Sequence, residues 1–160
     1  MKIGIVSDTH KSENYINKAV PYLKECDLII HAGDNFSDSK YIHQMTNRDI
    51  ISVKGNCDFE NVEDEIVFEI ENKTILLCHG HKYNVNCGID ELKRKAKSVA
   101  ADIVIFGHTH IPFIKEEDKI LYLNPGSLSR PRGMSSKQFI MMDILDEIIN
   151  LKEILIWLKI

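Results

Sequence analysis

Five short apolar runs in this chain each stop at a cluster of carboxylate, amide or imidazole side chains. Ile3–Val6 leads to Asp8-Thr9-His10, Leu28–Ile30 to Gly33-Asp34, and Ile50–Val53 to Gly55-Asn56. Ile75–Leu77 leads to His79-Gly80-His81, and Ile103–Phe106 to Gly107-His108-Thr109-His110. Short β-branched runs bounded by Gly, Asp and Asn read as buried strands. In an open α/β sheet, functional groups gather at the carboxyl ends of the strands. The pattern therefore predicts two aspartates, an asparagine and up to five histidines at one edge.

Between these runs the period changes from strand to helix. Ser12 is a candidate N-cap, followed by Ile16, Ala19, Val20 and Leu23 at helical spacing; Pro21 predicts a kink or an early end. A second strand, Asp27–Ala32, precedes a short helix from about Asp38 to Met45, and Ile50–Lys54 is the third strand. Ile66–Glu71 and Thr74–Cys78 alternate apolar and polar residues around Asn72-Lys73, which predicts a hairpin. Gly88-Ile89-Asp90 opens another helix, with Ile89, Leu92, Ala96 and Val99 on one face. Ile103–Phe106 and Ile120–Leu123 are further strands, with a turn at Glu116-Glu117-Asp118. Gln138–Leu145 and Ile148–Trp157 predict a terminal hairpin around Asp146-Glu147, a helix being the alternative. No repeat or linker interrupts the chain, so one domain over 1–160 is expected.

A net charge of −4 argues against a general nucleic-acid-binding surface, which needs a basic stripe. No apolar stretch approaches the ~20 residues of a membrane span, and no secretory pattern opens the chain, so a cytoplasmic protein without membrane contact is expected. Cys26, Cys57, Cys78 and Cys87 form no C-x-x-C pair. They read as free thiols, with Cys26 and Cys78 in the core.

A D-x-H or H-x-H pair on an extended segment turns both side chains to one face, so Asp8 with His10, and His108 with His110, can address a common site. Oxygen and imidazole donors without thiolate suit manganese, iron, nickel, cobalt or zinc. The blocks resemble the D-x-H, G-D, G-N-[HC]-[DE], [GS]-H and G-H-[ST]-H pattern of the calcineurin-like metallophosphoesterase superfamily. All five occur here in order from Asp8 to His110. Gly55-Asn56-Cys57-Asp58 and Asn124-Pro125-Gly126-Ser127 look most like its small prokaryotic phosphodiesterase branch.

That resemblance implies an α/β fold in which a mixed two-sheet sandwich is flanked by helices. It implies two divalent metal ions, manganese first, bridged by Asp34. Asp8, His10 and His110 would complete one site, and Asn56, His79 and His108 the other. The implied reaction is hydrolysis of a small phosphodiester by metal-bound water, as a hydroxide bridging the two ions. The Asn56 amide would stabilise phosphoryl charge, and no protein nucleophile takes part.

Many superfamily members carry histidine where this chain has Cys57. A thiol near its reference pKa of about 8.5 is a poorer acid–base group at neutral pH, so Cys57 reads as a packing residue beside the site. His81 is a candidate for a role near substrate or behind the ligands. His31 and His43 read as structural. The Asn124–Ser127 segment resembles a loop closing over the metal edge. Arg130 and Arg132 stay outside the catalytic set. The alternatives are a phosphomonoesterase and a non-catalytic scaffold like a retromer subunit; self-association is left open.

Overall fold

The computed structural model describes residues 1–157. Strands and helices alternate first: β1 (Lys2–Val6), α1 (Glu13–Leu23), β2 (Leu28–His31), α2 (Phe36–Thr46) and β3 (Asp49–Ser52). The hairpin of β4 (Glu65–Ile70) and β5 (Lys73–Cys78) follows, then two single 3₁₀ turns at His81–Tyr83 and Val85–Cys87. Next come α3 (Asp90–Ser98), β6 (Ile103–Ile105), β7 (Phe113–Glu117) and β8 (Ile120–Asn124). The hairpin of β9 (Gln138–Leu145) and β10 (Ile148–Leu155) ends the described elements.

The strands form two mixed sheets of five, ordered β10-β9-β1-β2-β3 and β4-β5-β6-β8-β7. β1, β2 and β3 run parallel, as do β5, β6 and β8. Parallel strands buried on both faces need continuous apolar runs, which β1 and β6 supply. Ile3, Ile5 and Ile30 of one sheet pack with Ile75, Leu77, Ile103 and Ile105 of the other, all fully buried. On the outer face of the first sheet, Ile16, Ala19 and Leu23 of α1 and Ile42 of α2 pack against Val6 and Ile29. Leu92 and Ala96 of α3 cover Leu76 and Val104 of the second sheet. The expected two-sheet architecture with outer helices is therefore present, and Cys26 and Cys78 are buried in it as expected.

Several local expectations are corrected. α1 continues through Pro21 to Leu23, with Lys24 N–H donating to Val20 O at 2.9 Å. Pro21 is exposed in the last turn, where the carbonyl its ring leaves without an N–H partner can meet water. α2 starts earlier than expected, at Phe36. The first hairpin turns at Glu71-Asn72 rather than Asn72-Lys73, since Ile70 pairs with Lys73. Moving such a turn by one residue leaves every inward side chain inward, so alternation alone cannot choose between the two. β7 was not expected, and its turn lies at Asp118-Lys119 rather than Glu116-Glu117-Asp118. The terminal hairpin is formed as two strands, not a helix.

Glu71 and Asn72 both have positive φ, 48° and 60°. Asn tolerates that conformation, whereas Glu has no local compensation for it. Glu71→Asn should raise stability by about 0.5–1 kcal/mol. Thermal unfolding should then shift upward by roughly 1–4 °C. An unchanged or lower midpoint would place the turn elsewhere.

Candidate metal centre

Because β1, β2, β3, β5, β6 and β8 run in one direction within their sheets, the loops after their carboxyl ends meet at one edge of the sandwich. Asp8, His10, Asp34 and His110 each place one ligand atom within 4.8 Å of the others. A cavity of about 400 Å³ at this edge is lined by His10, Asp34, Asn56, Cys57, His108 and His110, with Arg130 to Arg132 beside them. His79 lies deeper, with its Nε2 3.3 Å from Asp34 Oδ1 and 3.9 Å from Asp8 Oδ1. The His108 ring is 5.2 Å from that of His79. All seven candidate residues thus lie at this one edge, four of them with ligand atoms in mutual reach.

The route to this convergence differs from the expected extended pairs. Asp8, His10, Asp34, His108 and His110 all have positive φ, between 46° and 69°. A non-glycine residue in that region costs on the order of 1–3 kcal/mol and persists only where its surroundings hold it. Glycines make room for the crowding. A Cβ on Gly55 would sit 2.1 Å from Asp34 Oδ1 and 2.6 Å from the Asp34 backbone nitrogen. One on Gly107 would sit 2.0 Å from Ser7 Oγ.

The hydrogen bonds fix the imidazole protons. His79 Nδ1 donates to Ala32 O at 2.7 Å and His110 Nδ1 to Arg130 O at 2.6 Å, because a carbonyl only accepts. In their neutral rings Nε2 then carries a lone pair. That of His110 faces Asp8 Oδ1 at 3.1 Å and His10 Nε2 at 3.2 Å, and that of His79 faces Asp34 Oδ1. Lone pairs opposed at such distances repel unless a proton or cation lies between them. Asp8 Oδ1 and His79 Nε2 are also buried without a hydrogen-bond partner. This donor set of carboxylate oxygens and imidazole nitrogens, converging at orphaned buried atoms, fits divalent cations.

Asp34 is held from two sides. Its Oδ1 accepts the Cys57 N–H at 3.0 Å and faces His79, while its Oδ2 lies 3.9 Å from His10 Nε2. Burial works against ionisation of Asp34, but His79 and the Cys57 amide outweigh it and hold the carboxyl well below the usual range. Burial likewise opposes ionisation of Asp8, yet His110, His79 and Ser7 keep its pKa lowered. For His79 burial would lower the pKa, but Asp34 and Asp8 raise it above the ordinary value. Burial lowers His10 and His108. Asp34 is only 2 % exposed, so its strand end is buried rather than open.

Asn56 and Cys57 are exposed at the cavity, with Asn56 Nδ2 3.6 Å from Cys57 Sγ. Burial and the nearby Asp34 carboxylate push the Cys57 thiol up to about 11. His81 stands with its ring 5.5 Å from His79 and 6.2 Å from His108, and burial lowers its pKa. His31 is buried outside the ligand set: it accepts the Gly33 N–H on Nδ1 and donates from Nε2 to Thr9 Oγ1, which donates to Asp38. His43 is exposed and donates to Arg48 O.

Two supports were missed by sequence reasoning. Asp58 accepts the backbone N–H groups of Phe36 and Gly55, tying the Asp34 and Asn56 loops together. The Asn124–Ser127 segment, expected as a loop over the metal edge, is instead a buried brace. Asn124 Nδ2 donates to Gly107 O at 2.8 Å, and the Ser127 and Ser129 hydroxyls both donate to Asp8 O. The signal available for it was a run of short hydrogen-bonding residues directly after a strand.

Residues 1–147 match the family model for the calcineurin-like phosphoesterase superfamily domain. A probable metallophosphoesterase of Methanocaldococcus jannaschii is 36% identical over 136 residues, covering 82% of this chain and 70% of that protein. The solved structure of an archaeal phosphodiesterase superposes with a TM-score of 0.80 at 28% identity, covering 98% of this chain and all of that one (100%). Vps29 of Entamoeba histolytica shares the fold, with a TM-score of 0.77 at 20% identity over 98% of this chain and 99% of that one. No helix among the described residues is long and apolar enough to cross a membrane.

The close approach at Gly55 gives a direct test. Gly55→Ala should displace Asp34 and weaken metal binding by about 10–100-fold, with an unchanged circular dichroism spectrum. Wild-type affinity in calorimetric titration would show that Asp34 does not hold metal.

Proposed function

The chain belongs to the calcineurin-like phosphoesterase superfamily, and on that premise we propose that it is a dinuclear metal-dependent phosphodiesterase acting on small diesters. The observation that carries this reading is the placement of Asp34, whose two oxygens face separate groups of ligands. Oδ2 faces His10, within the cluster of Asp8 and His110, while Oδ1 faces His79 and the side of His108 and Asn56. A carboxylate so placed suits a bridge between two cations. Manganese is the first candidate, with nickel, iron, cobalt and zinc fitting the same donors. When bound, two such ions supply a hydroxide nucleophile at neutral pH and neutralise charge on the phosphoryl oxygens.

The remaining work falls to this chain's own side chains. Asp8, His10 and His110 would hold one ion, and Asn56, His79 and His108 the other. Ala32 O and Arg130 O keep His79 and His110 in the tautomer that presents Nε2 to the site. The exposed Asn56 amide lies where it can donate to a phosphoryl oxygen, and Arg130 and Arg132 bring positive charge to the same cavity. His81, its ring 5.5 Å from that of His79, would stand near the substrate or behind the ligands. Cys57 contributes its amide to Asp34, and burial together with the Asp34 carboxylate pushes its thiol above the ordinary range.

Elemental analysis after reconstitution should give two metals per chain; one per chain would reject the dinuclear form. The metal-loaded chain should hydrolyse bis-p-nitrophenyl phosphate faster than p-nitrophenyl phosphate, and chelation should abolish both activities. The reverse preference would make it a monoesterase. Absence of turnover with metal bound would favour a binding scaffold.

Asp34→Asn keeps the shape of the side chain but should lower turnover by at least about 10²-fold through lost metal. Cys57→Ala should fall by less than about tenfold, against the 10²–10⁴ that a positioned acid–base group supplies. A larger loss in metal-loaded Cys57→Ala, or a trapped phosphocysteine, would overturn this account of the thiol.

A further inference from the structure

A second cavity of about 440 Å³ lies next to the cluster, walled by Val85, Ile89, Phe106, Ile111, Pro112 and Phe113. Its size and apolar lining are those of a small-molecule site, for which about 300–1,000 Å³ is usual. Asn86 lines this cavity and His108 lines the metal cavity, and the two side chains meet with Asn86 Nδ2 2.9 Å from His108 Nε2. Thr109, between His108 and His110 in the chain, lines the second cavity too. The space therefore begins where the ligand loop ends.

Its chemistry selects what can enter. Phe106 and Phe113 form a tilted aromatic pair in the wall, with ring centroids 6.0 Å apart. The two lining cations are already paired: Lys93 donates to Glu117 at 2.8 Å and lies 3.5 Å from Asp90, and Lys115 meets Glu117 at 2.6 Å. An ionic arm would find no free partner in them. A flat uncharged ring would meet aromatic edges and aliphatic walls, with the Asn86 amide as one polar contact.

Resting on the diesterase reading, we propose that this cavity receives a flat aromatic ester arm of the substrate, of aryl or nucleobase size, while the phosphate lies over Asp34. Phosphonates test this without turnover, because their P–C bond is not an ester. In calorimetric titration of the metal-loaded chain, phenylphosphonate should bind about tenfold or more tighter than methylphosphonate. Thymin-1-ylmethylphosphonate separates the two sources of ring: tighter binding than phenylphosphonate assigns a nucleobase arm, and weaker binding a simple aryl arm.

Ile111 is 47 % exposed, so Ile111→Asp places a charge at the cavity without emptying the core. It should erase most of the preference for a ring, read as the ratio of phenylphosphonate to methylphosphonate affinity within the same variant. Any effect of the new charge on the phosphonate group then cancels. Neither ringed phosphonate binding tighter than methylphosphonate, or a preference that survives Ile111→Asp, would overturn the proposal. Failure of the metal-loaded chain to hydrolyse any diester would defeat the diesterase reading instead, and the phosphonate comparison reads the cavity separately from that result.

Discussion

Two carboxylates, Asp8 and Asp34, are buried at the edge where both sheets end, and much of the surrounding structure is arranged to keep them there. An ionised carboxylate loses its hydration on burial and is tolerated only with donors or cations around it. Ser7 Oγ and the His108 amide donate to Asp8 Oδ2, and the Cys57 amide donates to Asp34 Oδ1. His110 Nε2 lies 3.1 Å from Asp8 Oδ1, His79 Nε2 3.3 Å from Asp34 Oδ1 and His10 Nε2 3.9 Å from Asp34 Oδ2. The apolar contact between the sheets holds the two groups of loops at this separation, so the packing of Ile5 against residues such as Leu77 also sets the spacing of the charges.

The strands that feed the site were legible because each is a short apolar run cut off by a polar cluster. Their destination was legible because parallel strands of one sheet release their loops at one end. The backbone that brings the ligands together was not. Asp8, His10, His108 and His110 read as alternating positions on extended segments, whereas all four are left-handed. Tertiary contacts impose that conformation, and no period in the sequence encodes it. β7 escaped notice for a related reason. Phe113–Glu117 is an edge strand in which only Phe113 and Ile114 are apolar, leaving no clear alternation. Asp38, Asp58 and Ser127 each brace the site through at least one partner more than 20 residues away.

The same sandwich is shared with an archaeal phosphodiesterase and with Vps29, so the architecture alone does not decide between catalysis and assembly. What distinguishes one member of this fold from another is the set of side chains at the loop ends. In this chain Asp8, His10, Asp34 and His110 converge there with His79 beside them, and two of the buried atoms, Asp8 Oδ1 and His79 Nε2, lack any hydrogen-bond partner.

Asp34 is gripped by residue 57 through its main-chain N–H. Every amino acid except proline carries that N–H, so the grip is indifferent to which side chain follows Asn56. Holding the carboxylate and tuning the chemistry above it are thereby separated within a single residue. The side chain at this place can change its acidity, bulk or charge while that main-chain donor stays. It is a socket in the scaffold, open to chemical variation while the frame around it stays fixed.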